Sequence, residues 1–85
     1  MSERSKENIR ELVINELIRV KPESNELVTD NADLHDELGL ESLDIVELVA
    51  RIEEKFQIMI EDAEVKQLNT INNIVNFIYS KHAIS

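Results

Sequence analysis

The sequence predicts an all-α fold: a four-helix bundle with a short third helix and a long loop between helices 1 and 2. Two observations carry this. Apolar residues recur at helical spacing in several stretches, and strand-period alternation, internal repeats and Gly/Ser linkers are absent. A chain of 85 residues is expected to make one domain spanning residues 1–85, small enough that its core is marginal.

Ile9, Leu12, Val13, Leu17 and Val20 form an apolar stripe that predicts a first helix from about Ser5 to Val20. Lys21-Pro22 ends it, because the residue before a proline is pushed away from helical backbone angles. Residues 21–41 then make a connection that is long for so small a domain. Such loops are usually functional or tied down by their own side chains, and Val28, Leu34 and Leu38 are the expected anchors. Gly39 suits the stop of a brief turn through His35, Asp36 and Glu37, and a helix restarts at Ser42 and runs to about Phe56. Ile58 and Ile60 lead into a shorter helical element over 61–68. Thr70 is placed to cap a last helix that turns Ile71, Ile74, Val75 and Ile78 inward, and Lys81 and His82 suit its negative end.

Eighteen acidic residues against nine basic ones leave a net charge of −9, which argues against nucleic acid and anionic membranes as partners. Basic protein surfaces are the natural complement. Cysteine is absent, so disulfides and thiolate zinc sites are excluded, and any reactive sulfur would have to come from a cofactor. The start of the chain, Met1 to Asn8, is polar with no apolar run behind it. No signal peptide or membrane span is read there, and a cytoplasmic monomer without stable membrane insertion is the expectation.

On a wheel of about 100° per residue the helix after Ser42 separates into three sectors. Ile45, Leu48, Val49, Ile52 and Phe56 form a core face, whereas Leu43, Val46 and Ala50 form a second apolar strip nearly opposite. Asp44, Glu47 and Glu54 lie beside that strip. A helix with only a core role needs no second strip, so small apolar contacts rimmed by carboxylates are expected to be a docking surface that steers basic partners; the alternatives are that the strip completes the core against the long loop and that the carboxylates form a solvated face. Arg51 falls within the acidic sector, where it can pair with Glu47 or Glu54 and weaken the field.

Ser42 is the one residue placed to carry a group covalently. By itself it is an ordinary N-cap residue, and the position three residues on is Ile45, so no capping box accompanies it. A helix N-terminus also favours a phosphate attached to that hydroxyl, through unpaired N–H groups and the positive end of the dipole. Other chemistry tests poorly. The stretch from Asp30 to Glu41 has the length of an EF-hand loop, but Ala32 and Leu34 occupy ligand positions and His35 replaces the required Gly. A nucleophile elbow fails because Leu40 stands where Gly is needed, and His35 and His82 read as loop or cap residues. No metal site and no catalytic residue is expected, and the chain is read as a non-enzyme.

LGLESLDIVELVARIEEKF, residues 38–56, resembles the attachment site and second helix of acyl carrier proteins, in which Gly-x-Asp-Ser-Leu opens a long acidic helix. The order of the remaining elements is similar over nearly the whole chain. Glu41 stands where that family usually has Asp, and Arg51 interrupts a helix that is usually more uniformly acidic. The resemblance implies that Ser42 bears a covalent 4′-phosphopantetheine arm, moved from coenzyme A by a phosphopantetheinyl transferase. It further implies acyl-loading, synthase and releasing enzymes with basic docking surfaces as partners, meeting Glu41, Leu43, Asp44, Val46, Glu47, Ala50 and Glu54. The expected function is an acyl carrier for fatty acid, polyketide or related biosynthesis. The alternatives are an aminoacyl, peptidyl or D-alanyl carrier, or an unmodified interaction module of the same fold.

Overall fold

The computed structural model describes the backbone of residues 5–84 and the side chains of residues 5–81. Among the described residues four α-helices follow one another: α1 (Lys6–Val20), α2 (Ser42–Phe56), α3 (Asp62–Val65) and α4 (Ile71–Ile84), with a 3-10 turn at Pro22–Glu26. The polar start before Ser5 and the side chain of His82 lie outside the described residues.

The boundaries follow local chemistry. Ser5 caps α1, its hydroxyl accepting the Asn8 N–H at 3.2 Å. Lys21 closes α1 by donating its N–H to the Leu17 carbonyl, and Pro22 opens the 3-10 turn. Helix α2 stops at Gln57, which takes left-handed angles (φ 57°) and whose side-chain amide donates to the Glu54 carbonyl at 2.8 Å. Helix α3 is four residues long, shorter than the stretch 61–68 predicted from sequence.

Helix α1 packs chiefly on α4 and also on α2. Ile9, Val13 and Leu17 of α1, Leu48, Ile52 and Phe56 of α2, and Ile71, Ile74, Val75 and Ile78 of α4 meet in the core. This is the arrangement expected when each helix turns one apolar stripe inward. Leu12, Val20, Ile45 and Val49 pack on its edge. The core also takes Ala32, Leu34, Leu38 and Leu40 from the long loop, so four loop residues fasten it to the bundle. Val28, an expected anchor, is only half-buried. Ser24 is buried as well, its hydroxyl donating to the Lys21 carbonyl at 2.7 Å.

Backbone bonds finish the attachment. Leu34 donates to the Asn69 carbonyl and Asn72 to the Asp30 carbonyl, each at 2.9 Å, and Asp33 bridges to Thr70. The loop is thereby held against the start of α4, which leaves its last residues to deliver Ser42.

Candidate functional site

The turn before Ser42 is built on Asp33. Its carboxylate accepts the N–H groups of His35 (3.0 Å) and Asp36 (2.7 Å), and its carbonyl accepts those of Glu37 and Leu38, both at 3.0 Å. Gly39 then takes φ 77°. A Cβ there would meet only Lys21 Cε at 3.9 Å, so the backbone angle and not the available space calls for glycine. Leu40 is fully buried and donates to the Leu34 carbonyl at 2.9 Å. With Leu38 and Leu40 both anchored, the chain emerges with Glu41, Ser42 and Leu43 exposed.

The cap of α2 differs from the sequence expectation. Glu41, not Ser42, occupies the N-cap position with extended angles (φ −94°, ψ 174°). The Asp44 carboxylate accepts the Glu41 N–H at 3.0 Å, and the Glu41 side chain turns back toward the Asp44 N–H, so a capping box exists one residue earlier than the serine suggests. A glutamate at the cap hid this, because serine is by far the commoner cap residue. Ser42 is the first helical residue. Its exposed hydroxyl makes no hydrogen bond among the described residues, and the Ser42 and Leu43 N–H groups have no backbone acceptor there.

His35 lies beside this start, its Nδ1 2.8 Å from the Leu40 carbonyl. A carbonyl can only accept, so Nδ1 carries the proton. This bond raises the pKa of the ring above its ordinary value of 6.5. Desolvation opposes the rise, and Asp36, Asp33 and Glu41 add to it through their charges. Nothing in the periodicity of the sequence signals this contact.

The second apolar strip stands outside the core: Leu43 is 80% exposed, Val46 63%, and Ala50 is exposed too. Met59, 77% exposed, extends the apolar surface past the end of α2, beside an open groove of about 560 Å³ lined by Ala50, Glu54, Ile58 and Met59. It falls between helices, where helical spacing assigns no face.

The carboxylates divide by duty. Asp44 is engaged in the cap, and Glu47 pairs with Arg51 at 3.2 Å, while Glu54 is exposed and joins no ion pair among the described residues. The second partner of Arg51 is Glu16 of α1, at 3.5 Å, and not Glu54. Lys55 approaches the same Glu16 at 4.0 Å, so one buried carboxylate gathers two cations of α2. Sequence distance concealed this pairing, since 35 residues separate Glu16 from Arg51. Among the described residues no helix is long and apolar enough to cross a membrane.

Comparison with known proteins bears on this geometry. A family described as "phosphopantetheine attachment site" matches residues 8–78. An acyl carrier protein of Campylobacter concisus is 39% identical over 72 residues, 85% of this chain and 88% of the relative. One from Buchnera aphidicola of Acyrthosiphon pisum is 36% identical over 76 residues, 89% of this chain and 90% of that protein. The solution structure of a candidate acyl carrier protein from Anaplasma phagocytophilum superposes with a TM-score of 0.81 at 27% identity, covering 95% of this chain and 96% of its own.

Proposed function

The chain belongs to the acyl carrier proteins, the phosphopantetheine-attachment family, and on that premise we propose that Ser42 receives the arm and that its cargo is an acyl group in fatty acid synthesis. The cofactor of the family is covalently attached 4′-phosphopantetheine, whose terminal thiol supplies the thioester.

The observation that carries the assignment is the unbonded, exposed hydroxyl of Ser42 at the first position of α2. Because Glu41 and Asp44 perform the capping, attachment at Ser42 breaks no protein hydrogen bond. The adjoining N–H groups and the helix dipole favour the anionic phosphodiester. The Glu41 and Asp44 carboxylates oppose it, but both are turned to the cap and solvent screens the remainder. In the transfer, Ser42 Oγ would form a bond to the phosphorus that carries the pantetheine as the phosphoanhydride of coenzyme A breaks, adenosine 3′,5′-bisphosphate leaving with the bonding electron pair and the hydroxyl proton passing to a base of the transferase. The chain itself tethers and displays, which raises the effective concentration of the cargo for each enzyme it meets.

Leu43, Val46 and Ala50, rimmed by Glu41, Asp44, Glu47 and Glu54, form the surface we assign to the transferase and to the enzymes that load, extend and release the acyl group. Incubating the apo chain with coenzyme A and a broad-specificity phosphopantetheinyl transferase should add one arm by intact mass, mapped to Ser42. No addition, or addition at Ser24 or Ser80, overturns the assignment.

A further inference from the structure

We propose that His35 is a positioning residue for the modification of Ser42, fixing the peptide unit between Leu40 and Glu41 from which the serine is presented. The inference rests on Ser42 as the acceptor. That peptide unit is held on both sides: the Leu40 carbonyl accepts from His35 Nδ1 at 2.8 Å, and the Glu41 N–H donates to the Asp44 carboxylate at 3.0 Å.

Neither bond is redundant. Leu40 is fully buried and its carbonyl has no backbone donor among the described residues, so without His35 it loses its protein partner. Immediately before it stands Gly39, the single glycine of the chain, whose permissive backbone gives the segment a natural swivel. Rotation of the Leu40–Glu41 plane would carry the Glu41 N–H away from Asp44 and undo the cap that leaves the Ser42 hydroxyl unbonded. His35 therefore closes from the loop side what Asp44 closes from the helix side. Its backbone is itself fixed, since its N–H donates to Asp33. The charges around the ring, Asp33, Asp36 and Glu41, all favour the protonated donor.

A loosened segment presents the acceptor conformation only part of the time, which weakens apparent binding by that fraction and leaves the bound reaction unchanged. His35→Ala in the full apo chain should therefore raise the KM for transferase modification by about threefold to tenfold, the range that one hydrogen bond spans, with kcat unaltered. Amide exchange at Glu41 should quicken in parallel. His35→Asn should restore both, because the Asn amide nitrogen stands two bonds from Cβ as Nδ1 does, whereas His35→Gln, one bond longer, should not. Wild-type KM and Glu41 exchange in His35→Ala, or an Asn variant no better than Ala, overturns the proposal. If the wild-type chain takes no arm, the acceptor assignment fails, and the exchange comparison still decides whether His35 holds the segment.

Discussion

Helices α2 and α4 both begin beside a hydroxyl residue, and they use it in opposite ways. At α4, Thr70 precedes the first turn and its hydroxyl accepts the Asn73 N–H at 3.1 Å. Ser5 does the same for α1. At α2 two carboxylate residues take over capping, and the hydroxyl of Ser42 is left unbonded and exposed. The outer faces differ in the same sense: α4 shows Asn72, Asn73 and Asn76 to solvent over its first turns, whereas α2 shows Leu43 and Val46. A hydroxyl at a helix start is usually a structural part. Here one of three is released from that work, and the helix that releases it also leaves apolar surface uncovered beside it.

The largest expected effect separates the hydroxyls outright. Ser42→Ala should abolish modification by intact mass while changing stability by less than about 0.5 kcal/mol in urea denaturation, because no cap bond is lost. A fully modified Ser42→Ala chain would end the contrast between the two helices.

Next in size is a charge placed on each outer face. Val46→Asp puts an unpaired carboxylate into the exposed apolar strip proposed as the docking surface and should raise the KM of the transferase about tenfold or more. Asn76→Asp adds the same charge to the α4 face and should leave that KM within about twofold, as a distant charge acts only through the screened field. Equal effects would mean that partners respond to net charge and not to the α2 surface. Both variants should first be shown by circular dichroism to keep their helix content.

Thr70→Ala is the mirror of the serine variant. It should cost about 1 kcal/mol, the usual worth of a hydroxyl cap, and leave modification at the wild-type rate. Urea midpoints read the first effect and initial rates the second. A Thr70→Ala chain as stable as wild type would show that the bonds from Leu34 and Asn72 already fix the start of α4.

How far these features were legible in the sequence depends on their range. The core faces of α1, α2 and α4 follow from spacing alone, since a buried stripe must recur every three to four residues, and the second strip of α2 was visible by the same geometry. Gly39 and Thr70 were readable because their backbone roles restrict residue type. The misread elements are those in which two residues share a task. Serine masked the Glu41 and Asp44 cap because propensity ranks one position at a time. Glu16 with Arg51, and His35 with Leu40, are contacts created by the fold, one across two helices and one across a turn. Leu40 itself sits in a loop with no period to betray its burial.

The smallest effect distinguishes the two helix starts by proton linkage. The cap of α4 rests on a neutral hydroxyl, whereas the start of α2 is braced by an ionisable ring. The folded pKa of His35 is raised above 6.5, chiefly by its bond to the Leu40 carbonyl. Below 6.5 the ring is charged in folded and unfolded chains alike, and its contribution to stability is fully present. As pH rises through the higher folded value that ring loses its proton, and the charge-dependent part of the contribution disappears. The neutral ring still donates through Nδ1, so the bond persists in weaker form. His35→Asn keeps a donor and removes the titration. The melting temperature of wild type relative to His35→Asn should therefore fall from about pH 5.5 to about pH 8.5, a window above the ordinary carboxylate values and below those of lysine. The difference between wild type and Thr70→Ala should stay level across the same window, because no titrating group takes part in that cap. A wild-type advantage over His35→Asn that grew with pH would mean that folding lowers the proton affinity of His35, and the ring would then not be the charged donor to Leu40.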